Sequence, residues 1–84
     1  MVIAQDFCPF EGEYGQIGFL ICSDHQTLVL MCDECNRIWI SPDALDADHA
    51  LIAKPPDFLV PGLDCSVQGP QSRWAARLEV ASYG

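Results

Sequence analysis

The chain has 84 residues, half of them hydrophobic, with 12 acidic residues against four basic ones and a formal net charge of −8. A single domain of this length buries only about 60% of the surface its unfolded chain exposes, so a metal site, a disulfide or a partner is expected to help hold it together. The charge repels phosphate backbones and anionic membranes, which argues against nucleic acid and membrane as partners, although acidity also serves solubility by itself. No apolar run approaches the ~18 residues of a membrane span, and the first residues lack the basic start and apolar core of a signal peptide. The expected location is cytoplasmic. In a reducing compartment five cysteines favour metal binding or buried thiols over a disulfide framework.

The first segment, Phe7-Cys8-Pro9-Phe10-Glu11-Gly12-Glu13-Tyr14-Gly15, mixes turn formers with aromatics and opens like a metal knuckle, Cys-Pro-x-Cys, with Glu11 where the second cysteine would stand. The glycines at 12 and 15 let the chain leave the knuckle in conformations closed to other residues. Ile17 to Cys22 and Thr27 to Cys32 are two apolar, β-forming runs around the polar loop Ser23-Asp24-His25-Gln26, the pattern of a hairpin. Their continuous apolar character implies burial on both faces, or one face in the core and the other against a partner.

The second strand runs into Cys32-Asp33-Glu34-Cys35, and Arg37-Ile38-Trp39-Ile40-Ser41 follows as a third strand. Two thiolates two residues apart in a tight turn can point at one tetrahedral ion. Ser41 as N-cap and Pro42 as first helical residue predict a helix to about Ile52, with Leu45 and Leu51 or Ile52 turned inward and Asp43, Asp46 and Asp48 in solvent. From Pro55 to Pro70 the chain is irregular, yet Phe58, Leu59, Val60 and Leu63 predict a loop pinned over the core. Trp74, Leu78 and Ala81 at helical spacing predict a second helix from Ser72 to about Ser82.

The hairpin carries the chain away from the first knuckle and back to the second, which gathers Cys8, Cys32 and Cys35 as a thiolate cluster. The hairpin loop then lies ~20 Å away, so Cys22 reads as a buried apolar side chain and His25 as a solvated loop residue. Glu11 fits the fourth ligand position by spacing, and Cys65 is the alternative from the irregular loop. A site in which hydrophobic packing has replaced the ion is the competing reading.

Cys8-Pro9-x-Glu11, the hairpin, Met31-Cys32-Asp33-Glu34-Cys35-Asn36-Arg37-Ile38-Trp39 and Ser72-Arg73-Trp74-Ala75 resemble small bacterial zinc-ribbon proteins, in which a Cys-Pro-x-Cys knuckle precedes a Cys-(Asp/Glu)-Glu-Cys knuckle followed by a Trp. The resemblance covers about residues 7 to 80, with Glu11 as a departure from the four-cysteine pattern. The fold expected is α+β: a small zinc-ribbon-like, three-stranded antiparallel sheet with one or two short helices, residues 7–41 forming the core of one domain and 42–84 wrapping it. The resemblance further implies a bound zinc ion and, by analogy, an immunity partner of a bacterial toxin.

The leading functional expectation is therefore a small acidic protein-binding module that neutralises a basic toxin domain, steered to it by charge. Asp43, Asp46, Asp48 and Glu11 or Glu13 are the candidate contacts. Trp39 or Trp74 is the candidate anchor, with core packing the alternative for each. A structural zinc-ribbon adaptor without a toxin partner is the second reading. An enzyme is the weakest, because no phosphate loop or nucleophile constellation is recognisable, and a redox Cys-x-x-Cys would open a helix where a strand is expected here.

Overall fold

The computed structural model describes residues 2–24, 26–63, 65–67 and 72–83. Strands β1 (Ile3–Gln5), β2 (Ile17–Ile21), β3 (Leu28–Cys32) and β4 (Ile38–Trp39) lie in that order in one sheet, and β5 (Arg73–Trp74) pairs with β2. One short helix, α1 (Arg77–Tyr83), follows. All named pairings are antiparallel, and the architecture is α+β with a larger sheet than the three strands expected. Among the described residues no helix is long and apolar enough to cross a membrane.

The central hairpin is in register from Ile17 opposite Cys32 to Ile21 opposite Leu28. Asp24 closes its loop by accepting from the backbone N–H groups of Gln26 and Thr27 at 3.0 and 2.8 Å and from the Thr27 hydroxyl. This self-bonding is the usual work of Asp in turns. His25 lies outside the described residues.

Side chains alternate across the sheet with period two, and both faces are covered. Leu20, Cys22, Val29, Met31 and Ile38 face one side, where Val60, Cys65 and Val67 pack on them. Ile17, Leu30, Cys32 and Trp39 face the other, against Cys8 of the first knuckle with Leu45 and Ala50 at the margin. Ile21 and Leu28 meet Ala75 and Val80 of the C-terminal segment. The continuous apolar runs thus reflect an intramolecular cover on each face.

The irregular segment after Pro55 is pinned over the core, as its apolar residues suggest. Val60 is 0% exposed, and the chain folds back on itself through Val60 N–H to Cys65 O at 2.9 Å and Val67 N–H to Phe58 O at 3.1 Å. Leu59 and Leu63, by contrast, stay exposed.

Two expected helices are corrected. Between Ser41 and Ile52 only a 3-10 turn forms, Ala47–His49, capped by the Asp46 carboxylate accepting from His49 N–H at 3.0 Å. Leu51 instead exchanges both backbone hydrogen bonds with Ile38, at 2.9 and 2.7 Å, extending the sheet edge. Asp is a poor helix-interior residue because its side chain competes for nearby backbone, and three aspartates in this segment favour the capped turn. Leu45 and Leu51 are half-buried and Ile52 is exposed.

The expected helix over Ser72 to Ser82 forms only in its second half. Trp74 lies in a strand, its backbone opposite Leu20, and Ala75 N–H donates to Phe19 O at 2.8 Å. Helix begins only at Arg77. Leu78, one of the residues whose spacing suggested the helix, is 85% exposed, and Val80 packs inward.

Candidate metal centre

Residues Cys8 to Gly15 form a tight loop: Cys8 and Gly12 bridge, with Gly12 N–H donating to Cys8 O at 2.7 Å, and Cys8 N–H donates to Gly15 O at 3.0 Å. The second loop repeats the first. Asn36 N–H donates to Cys32 O at 3.2 Å, the relation that Gly12 bears to Cys8. Gly12 and Asn36 hold φ of 60° and 59°, the left-handed region that Gly and Asn enter at least cost. In each loop the first cysteine's sulfur accepts a backbone N–H two residues on, from Phe10 to Cys8 and from Glu34 to Cys32, both at 3.4 Å. The two loops are one backbone design used twice, and Glu11 stands where Cys35 stands.

The sheet brings the loops together. Cys32 ends β3, while Cys8 precedes β2 and packs against Cys32. The sulfurs of Cys8, Cys32 and Cys35 all lie within 4.8 Å of one another, the Cys8 and Cys35 sulfurs at 3.6 Å. Thiolates sharing one tetrahedral zinc ion at Zn–S ≈ 2.3 Å are ~3.8 Å apart, whereas a disulfide needs about 2.05 Å. The spacing, and backbone N–H groups aimed at the sulfurs, fit a metal-bound thiolate set.

Electrostatics differ among the thiols. Burial pushes the Cys32 thiol up to about 12 against two backbone N–H donors that favour its ionised form. At Cys35 burial also pushes upward, but donation from the Arg37 backbone and guanidinium and from the thiols of Cys32 and Cys8 outweighs it, leaving the group below its ordinary value. Arg37 also lies 3.9 Å above the Phe10 ring, so a cation of the second loop stacks on the first.

Gly15 and Arg37 carry roles the sequence alone did not reveal. A Cβ at Gly15 would stand 2.8 Å from Cys32 Sγ, 3.1 Å from Glu11 Cβ and 3.2 Å from Cys8 Cβ. Gly15 is therefore required by close approach, while Gly12 is required by its backbone angle. The same distances put the stem of Glu11 beside the sulfurs, with its side chain exposed at the rim.

The other expected residues lie elsewhere. Cys65 is on the opposite face of the sheet, its thiol against Cys22, which corrects its candidacy as fourth ligand. Trp39 is 0% exposed and donates its indole N–H to Asp46 O at 2.8 Å, so it is a core residue with no surface to offer a partner. Trp74 is half-buried against the opposite-face core. Asp43, Asp46 and Asp48 are exposed, and Asp46 pairs with His49 at 2.6 Å. Glu13 is exposed on the first loop.

No family model, curated protein or solved structure matches this chain. Three cysteines placed to hold a metal ion, on a small α+β scaffold, are what the sequence and fold together define.

Proposed function

We propose that the chain is a zinc-stapled acidic protein-binding module of the immunity type, which covers and neutralises a basic toxin domain. One observation carries this reading. Every described aspartate and glutamate except the half-buried Glu79 is exposed, and no charged side chain is buried among the described residues. The charge of −8 is thus an outward field able to raise the encounter rate with a cationic surface.

Cys8, Cys32 and Cys35 supply three thiolates for the zinc ion, and Glu11 supplies the fourth ligand. The equivalence of Glu11 and Cys35 supports this set, and a carboxylate is an accepted zinc ligand. When bound, the ion acts structurally, tying the two loops together where a small core needs help.

The test is capture of the partner from the native host with the untagged chain, followed by kinetics of the purified pair. The expected partner is a basic protein that arrests growth and is relieved by this chain, its on-rate falling steeply with salt while the off-rate changes little. A nucleic acid or an acidic protein as the tight partner would contradict the reading, as would an on-rate indifferent to salt. A basic partner without toxicity would assign the adaptor role instead.

A further inference from the structure

Of the two tryptophans, Trp39 is closed to a partner and Trp74 is half-buried. Among the residues whose side chains are described, the exposed aromatics are Phe7, Phe10 and Tyr14, 60%, 42% and 77% exposed, on or next to the first loop. Three large rings are left in water within one short stretch, and aromatic side chains are enriched at the buried centres of interfaces. Asp6, Glu11 and Glu13 are exposed on the same stretch.

The loop already shows what its rings accept: the guanidinium of Arg37 lies over Phe10 at 3.9 Å. A planar cation gains from a ring face and from a neighbouring carboxylate together. Anionic lipid is disfavoured by the same carboxylates, so rings and acids point to one class of occupant.

We propose that the first loop, through Phe7 and Tyr14 with Asp6 and Glu13, is the docking surface for an arginine-rich protein segment, Phe10 already holding Arg37 and Glu11 being reserved for the metal. This rests on the basic-partner reading above but locates it away from Asp43, Asp46 and Asp48. The loop backbone is held by the Cys8–Gly12 and Cys8–Gly15 hydrogen bonds, so little backbone ordering is left to occur on binding.

The test uses a hexa-arginine peptide as probe, with hexa-lysine and hexa-glutamate peptides as comparisons, against ¹⁵N-labelled full chain. Saturable amide shifts centred on residues 6–15, stronger for arginine than for lysine, are expected. A Phe7→Ala/Tyr14→Ala variant, whose melting temperature should not move because both rings are exposed, should bind hexa-arginine roughly five- to thirty-fold more weakly. Shifts centred on residues 43–48, or affinity unchanged in that variant, overturn this surface while leaving a basic partner in place elsewhere. Saturable binding of hexa-glutamate with none of hexa-arginine overturns both readings.

Discussion

Glu11 stands to Cys8 as Cys35 stands to Cys32, each three residues on in a loop whose next residue holds a φ of about +60°. The chain therefore has the backbone for two knuckles but side chains for three thiolates and one carboxylate. Glu11→Cys should complete a four-thiolate set without disturbing the core, since Glu11 is exposed. Softer ligands favour zinc over harder cations, so zinc affinity measured by competition with a chromophoric chelator should rise. Unchanged affinity would mean that position 11 does not reach the ion.

The two loop glycines should respond differently to the same change. Gly15→Ala drives a methyl against Cys32 Sγ at 2.8 Å and against Cys8 Cβ at 3.2 Å, and overpacking of this kind costs about 1–3 kcal/mol. It should also lower metal content. Gly12→Ala meets nothing within 4 Å and should cost ~1–2 kcal/mol through its left-handed backbone, with the metal retained. Equal metal loss in both variants would show that the sulfur cluster does not depend on the space at Gly15.

Trp39 ties the segment after β4 to the core. Its indole N–H reaches Asp46 O, the residue that caps the 3-10 turn. Trp39→Phe should leave that carbonyl without its donor and destabilise the fold by about 1–3 kcal/mol in urea unfolding. Amide exchange over residues 43–49 should speed up most. A change confined to other segments would contradict the tie.

How much of this was legible in the sequence depends on which force set each segment. The hairpin, Cys22 in the core and the convergence of Cys8, Cys32 and Cys35 followed from apolar runs and knuckle spacing, because burial and ladder pairing are periodic and local. The helix expected over Pro42 to Ile52 was lost to tertiary pairing of Leu51 with Ile38 and to the Trp39–Asp46 bond. The extra strand at Arg73–Trp74 was hidden for the same reason, since its partner Leu20 lies far away in sequence. Gly15 looked like a turn residue because close approach to a sulfur has no sequence signature.

Helix α1 is expected to loosen in acid. The Arg73 guanidinium, with help from the Ala76 N–H, holds the Glu79 carboxylate down to about 2 against an ordinary 4.5. A carboxylate with a lowered folded value stabilises fully above its unfolded value and loses that contribution as pH falls from about 4.5 toward 2. Amide signals of residues 77–81 should therefore report loosening across that window. In Glu79→Gln the step should vanish, whereas a step of the same size in the variant would assign it to another group.

The metal content of the untagged protein, purified under reducing conditions with zinc supplied, tests the account most directly. One zinc per chain is expected by elemental analysis, falling to near zero in Cys32→Ser with a matching loss of stability, because metal binding in so small a domain is largely folding free energy. Full metal content in Cys32→Ser, or a native chain that folds to the same stability with no metal bound, would contradict the zinc centre.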